Sequence, residues 1–181
     1  MFLIFDTETT GLPRDKNAPM TNVDNWPRAI QVAWQLHDEK GYLVEAKSHL
    51  VIPDGFDVPY EAYKIHGIST DKATKDGIPL EDVLRDFEAA VERCTYLVGH
   101  NIEFDINVLG AEFLRKTGLQ KLTEKKVADT VIGSIDYCAL PGGKGGGFKY
   151  PKLEELHHKL FEKGFDAAHN AIADVEVSAR C

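Results

Sequence analysis

The sequence holds 181 residues, 28% of them charged and 43% hydrophobic, ordinary values for one globular domain with a substantial core. Its formal net charge of −8, from 29 acidic and 21 basic side chains, counts against a nucleic-acid partner unless some of the acids hold divalent cations. No apolar run is long enough to cross a bilayer and the opening Met-Phe-Leu-Ile-Phe is too short for a secretory segment, so no membrane partner and a cytoplasmic location are expected.

In chain order, residues 1–5 read as a buried strand that ends in two carboxylates one residue apart, Asp6 and Glu8. AIQVAWQLHD (29–38) alternates apolar and polar residues, and YLVEAKSHLVI (42–52) follows after Lys40-Gly41, a hairpin turn. These runs predict an antiparallel start. PLEDVLRDFEAAVER (79–93) has Pro79 at a helix start and apolar residues at 80, 83, 84, 87, 90 and 91, a helical period. TYLVGHN reads as a short buried strand, IEFDINVLGAEFLRKTG (102–118) as an amphipathic helix ending at Gly118, and KVADTV as a further strand, with at least two more helices beyond. Strands and helices interleaved after a hairpin predict an α/β domain with a mixed sheet. Cys94, Cys138 and Cys181 are odd in number, widely spaced and without a C-x-x-C pair, which argues against disulfides and thiolate metal sites.

A strand projects alternate side chains to one face, so Asp6 and Glu8 point together. Two like charges that close repel, and a divalent metal with hard oxygen ligands is the simplest partner. An isolated D-x-E more often lies past a strand end in solvent, so further acids are needed. HNIEFD (100–105) supplies one. With Asn101 as N-cap, Ile102, Ile106, Leu109 and Phe113 form the core-facing stripe that Asp105 borders. The same acid reads equally well as a first-turn carboxylate favoured by the helix dipole. In HNAIADV (169–175), His169 and Asp174 would be rotated by about 140° on one helix. His169 is therefore expected before the helix, in the loop after Gly164, and Asp174 one turn in, with small Ala171 and Ser178 leaving room for a ligand.

FDTETTGL, HNIEFD and HNAIAD, in this order, resemble the three motifs of the DEDDh branch of the DnaQ-like 3′–5′ exonucleases, as found in bacterial DNA polymerase III proofreading domains. YKIHGIS (63–69) and YPKLEEL (150–156) resemble further segments of that family. The resemblance implies a ribonuclease H-like fold and a site for two Mg²⁺ or Mn²⁺ ions that hydrolyses terminal phosphodiester bonds to nucleoside 5′-monophosphates. It implies Asp6, Glu8, Asp105 and Asp174 as metal ligands, with Asp6 shared between the ions, and His169 as the base that takes a proton from the attacking water. Thr7, Thr9, Leu12 and Phe104 are implied contacts of the terminal nucleotide, although Leu12 and Phe104 read equally well as core residues. The implied partners are single-stranded DNA 3′ ends and a DNA polymerase III chain, in cis or in trans. RNA trimming, and a non-catalytic binding module on the same fold, stay open as alternatives.

Residues 1–181 are expected to form a single exonuclease domain. DVEVSARC is still helical in pattern at the last residue, from which a continuation is expected, either brief or into a larger polymerase chain. The segment LPGGKGGGFKYPK (140–152) has three lysines, two aromatics and no acid, and suits either contact with a nucleic-acid strand or a solvated loop. His157 and His158 read as surface residues, His100 as a residue that positions the turn before Asn101, and His66 is undecided.

Overall fold

The computed structural model describes residues 1–117, 122–164 and 170–181. Among these residues five strands form one sheet: β1 (Phe2–Thr9), β2 (Ala29–His37), β3 (Leu43–Leu50), β4 (Tyr96–Gly99) and β5 (Lys126–Asp129), in spatial order β3-β2-β1-β4-β5. β1 and β2 pair antiparallel, as do β2 and β3, while β4 and β5 continue from β1 in parallel. The mixed sheet with an antiparallel start thus follows the alternation in the sequence. The β2–β3 turn spans residues 38–42. Asp38 Oδ1 accepts from the Lys40 and Tyr42 N–H groups, and Gly41 takes the positive φ of 83°.

Among the described residues seven α-helices surround the sheet: α1 (Tyr60–His66), α2 (Thr70–Asp76), α3 (Leu80–Arg93), α4 (Glu103–Lys116), α5 (Thr130–Cys138), α6 (Leu153–Phe161) and α7 (Ala171–Arg180). The two faces of β1 bury different partners. Leu3 and Phe5 join the main core with Val83, Leu84 and Phe87 of α3 and with Val108 and Leu109 of α4. Ile4, on the opposite face, packs with Ala33 of β2 and with Ala171 and Val175 of α7. The helical period of residues 79–93 is matched throughout, since Leu80, Val83, Leu84, Phe87, Ala90 and Val91 are all buried.

Several local expectations are corrected. Asn101 does not cap α4 with its side chain. It sits at φ 66°, a left-handed conformation that Asn tolerates, and its N–H donates to Asp129 Oδ1 at 3.0 Å. KVADTV is a strand only to Asp129. The Asp129 carboxylate accepts from the Val131 N–H at 2.8 Å, capping α5 and ending the strand. His157 is buried, because the chain after α6 turns back at Glu162 (φ 57°) and brings the Lys163 carbonyl to 2.9 Å from His157 Nδ1. His158 is exposed, as expected. Gly118, expected to end α4, lies outside the described residues, and Thr117 follows the last helical residue. The sequence reading missed α1 and α2, each only seven residues long. They are held by tertiary contacts, with Ile68 and Ala73 buried against Ile30 of β2.

Candidate active site

β1 delivers Asp6 and Glu8 to the face that carries Ile4, which α7 covers. Asn170 starts α7 with its side chain accepting from the Ile172 N–H at 3.1 Å, so Asp174 lies one turn in, over the strand. Ala171 and Ser178 are buried under the helix. Their small size therefore serves close approach of α7 to the sheet, not the access for a ligand that the sequence suggested. The result is a group of three carboxylates, Asp6, Glu8 and Asp174, whose ligand oxygens lie within 4.8 Å of one another.

This grouping is electrostatically costly as it stands. Burial, with repulsion from Asp105, Glu8 and Asp174, drives the Asp6 carboxyl well above the usual carboxylate range. Burial first, then Asp174 and Asp105, pushes Glu8 up to about 8. A hard divalent cation among the three oxygens would offset both effects, so the donor set fits such an ion.

Asp105 reaches the site from the other side of β1. Its Oδ1 accepts from the Thr7 N–H at 3.0 Å and from Thr7 Oγ1–H at 2.6 Å. Burial pushes Asp105 up to about 7, against the pull of these two hydrogen bonds, and Asp129 adds repulsion. Asp105 is not one of the three mutually close carboxylates, yet it is near enough to raise both Asp6 and Glu8. Asp129 is a neighbour that the strand reading of KVADTV concealed; an Asp immediately before Thr130-Val131 was a legible N-cap signal. His169 lies outside the described residues.

Thr7 and Thr9 are buried, and the Thr9 hydroxyl donates to the Gly11 carbonyl at 2.7 Å, closing the turn after β1. Gly11 holds a φ of 144°, which a residue with a Cβ rarely adopts. The turn leaves Leu12 85% exposed, so Leu12 is not a core residue. Phe104 is partly buried, packing against the main core with its ring centroid 6.4 Å from that of Trp26.

Two cavities meet at this point. One of about 580 Å³ opens over Asp6 and Asp174 and is walled by Leu12, His100, Asn101 and Tyr150. The second, about 450 Å³, is lined by Leu12, Lys16, Phe104, Asn107 and Tyr150. His100 ties the wall together: Nε2 lies 2.9 Å from the Pro151 carbonyl and Nδ1 2.8 Å from Thr130 Oγ1. A carbonyl can only accept, so Nε2 carries the proton, while the single proton of the Thr130 hydroxyl is shared between Nδ1 and the Gly99 carbonyl 3.1 Å away. Burial lowers the His100 pKa, in keeping with that neutral tautomer. His100 therefore holds the segment after β4 to the segment before α6, a wider role than fixing the turn at Asn101. His66, at the end of α1, accepts from the Ile68 N–H at 3.1 Å and is shifted down by burial.

The profile of an exonuclease family, RNase_T, matches residues 3–181. The chain belongs to this exonuclease family. The epsilon subunit of DNA polymerase III from Treponema pallidum is 33% identical over 176 residues, 97% of this chain and 72% of that protein. The epsilon subunit from Rickettsia prowazekii is 31% identical over 132 residues, 72% of this chain and 52% of the relative, so the chain spans about half the length of that protein. A PolC-type DNA polymerase III from Streptococcus mutans is 32% identical over 131 residues, which amount to 8% of its length. Among solved structures, Escherichia coli Exonuclease I in complex with a dA16 oligonucleotide superposes with a TM-score of 0.75 at 21% identity, over 99% of this chain and 39% of that one. The likeness establishes the ribonuclease H-like fold of this chain. Its family depends on divalent metal ions. Among the described residues no helix is long and apolar enough to cross a membrane.

Proposed function

We propose that this chain is a single exonuclease domain that removes nucleotides from the 3′ ends of single-stranded DNA in a replicative proofreading setting. The observation that carries the reading is the cluster of Asp6, Glu8 and Asp174 within 4.8 Å, brought together where α7 packs over β1. Asp6, Glu8 and Asp174 would hold one divalent ion, Mg²⁺ or Mn²⁺, and Asp6 with Asp105 a second. When bound, such ions lower the pKa of a coordinated water and stabilise the departing oxygen at phosphorus.

The remaining roles fall to the chain itself. Thr7 fixes the Asp105 carboxylate by two hydrogen bonds. His169 would accept the proton of the attacking water, a task suited to an imidazole near neutral pH. Leu12 and Phe104 offer apolar surface against which the terminal nucleotide can lie, with Thr7 and Thr9 shaping the turn beneath it. The likeness to epsilon subunits and PolC-type polymerases supports DNA as the polymer and a DNA polymerase III chain, in cis or in trans, as the partner.

The test is release of mononucleotides from DNA and RNA strands labelled at either end, with wild type, Asp6→Ala and His169→Ala. The proposal expects trimming from the 3′ end, faster on DNA and lost in both variants. Faster trimming of RNA would reassign the substrate to the oligoribonucleotide class. No trimming of either polymer by the intact protein supplied with metal would leave a binding module.

A further inference from the structure

Two exposed side chains from distant parts of the sequence stand at the boundary between the two cavities. Leu12 is 85% exposed and Tyr150 64% exposed, and both line both cavities. Single exposed apolar side chains are common on a protein surface, but these two flank the same pair of cavities. Leu12 is one of the positions that the family motif already accounts for. Tyr150 opens the YPKLEEL segment that resembles the family, but no contact is assigned to it there, and it belongs to the lysine- and glycine-rich segment whose choice between strand contact and solvated loop is open.

Tyr150 is held where it is by bonds on both sides. Its neighbour Pro151 is tied to His100 at the end of β4 by the 2.9 Å bond to Nε2. Its other neighbour, Lys149, donates its N–H to the Leu140 carbonyl at 2.9 Å and its ammonium to Glu155 at 2.6 Å. The backbone is therefore anchored while the ring stays exposed. A rigid support under an exposed aromatic is what a stacking platform requires, because little entropy is lost when a planar group settles on it. Lys152 lines the first cavity beside Asp6 and Asp174, and Lys16 lines the second, so each cavity also offers a cation to a phosphate. Both volumes fall within the range of roughly 300–1,000 Å³ usual for bound organic ligands.

We infer that Tyr150 stacks on a base at the junction of the last two nucleotides of an unpaired strand, with one nucleotide in each cavity and Lys152 on the intervening phosphate backbone. The occupant is a single strand. The ridge made by Leu12 and Tyr150 separates the two cavities, and two neighbouring bases placed there must part from each other and from any complementary strand. This inference rests on the function proposed above and adds a subsite to it.

The experiment uses single-stranded oligonucleotides with 2-aminopurine at the terminal, penultimate or an internal position, a phosphorothioate at the last linkage, and Ca²⁺ as the ion. Stacking on Tyr150 quenches the probe. Wild type and Tyr150→Phe are expected to quench at one or both of the last two positions and not internally. Tyr150→Ala should lose that quenching and bind the strand roughly tenfold more weakly. Lys152→Ala should flatten the dependence of log Kd on log salt by about one contact. Tyr42→Ala, at an exposed tyrosine of the β2–β3 turn, controls for loss of any surface aromatic and should bind as wild type does. If Tyr150→Ala quenches and binds as wild type does, the subsite is wrong while the exonuclease reading stands. If wild type binds no strand, both are overturned.

Discussion

Thr7 gives both of its hydrogen-bond donors to a single oxygen of Asp105, the backbone N–H at 3.0 Å and the hydroxyl at 2.6 Å. The bond crosses from the strand that carries Asp6 and Glu8 to the first turn of α4. It favours the ionised form of a buried carboxylate and so opposes the burial that raises it to about 7. Removing the hydroxyl with Thr7→Val leaves one donor, so the Asp105 pKa should rise further. Because metal binding needs the carboxylate ionised, the acid limb of kcat/KM against pH should move to higher pH, with a stability loss of about 1 kcal/mol. Thr7→Ser should restore the wild-type profile. An unchanged acid limb in Thr7→Val would show that Asp105 does not limit metal binding.

The pH dependence of the metal-free protein follows from the same burial. Glu8 at about 8 and Asp105 at about 7 both lie above their unfolded values. In the window between, the folded chain holds protons that the unfolded chain has released, so stability is fully present at acid pH and falls as pH rises through the folded values. In EDTA, Tm should therefore decline between about pH 5 and about pH 8, and Mg²⁺ should reduce or reverse the decline by replacing the protons. Calorimetry with and without metal checks this. A metal-free Tm that rises over the same window would contradict the burial of these acids.

Charge removal inside the cluster should separate stability from activity. Asp174→Asn relieves repulsion on Asp6 and Glu8, the two groups that Asp174 raises. The metal-free variant should melt above wild type, by roughly 2–4 °C for each 1 kcal/mol of repulsion relieved. Its phosphodiester hydrolysis should fall by about 10²–10⁴-fold, and metal should no longer raise its Tm. A variant that melts lower in EDTA would mean that Asp174 serves the fold and not the cation.

A different acid carries structural weight. Glu112 is fully buried on α4, where it accepts from Arg28 Nε and from the Ala29 N–H, both at 2.9 Å, and pairs with Arg115 at 3.0 Å. It fastens α4 to the start of β2. Glu112→Ala strands Arg28 and the Ala29 N–H, and should cost about 3–5 kcal/mol in urea unfolding. A loss below about 1 kcal/mol would indicate that the arginines reach solvent freely.

The sequence disclosed those parts of the fold in which one physical signal acted alone. Residues 79–93 needed only a helical period, and it holds; 29–38 was read as a strand from alternation, and Ala29–His37 is one, although it is buried on both faces, Gln31 included. The signal failed where tertiary contacts decide. Tyr60–His66 and Thr70–Asp76 are too short to show a period and depend on the pocket beneath β2. His157 is buried because the chain turns back after α6, which adjacency to His158 does not reveal. Asp6 and Glu8 were legible as a pair from strand alternation, and Asp174 from its phase relative to His169. Their closeness was not legible, because it depends on α7 crossing β1 over Ile4 and Ala171. The aromatics of 140–152 were legible as candidate strand contacts, but the bond from His100 to the Pro151 carbonyl, which sets Tyr150 beside the cavities, is announced by no local pattern.

The most direct test of the central claim is the ladder of products from 5′-labelled single-stranded DNA, compared between wild type and Asp6→Asn with Mg²⁺ or EDTA. The account predicts stepwise shortening by wild type in Mg²⁺ alone, with nucleoside 5′-monophosphate as product, and none by Asp6→Asn. Shortening that persists in EDTA or in Asp6→Asn would show that the carboxylate cluster is not the catalytic centre.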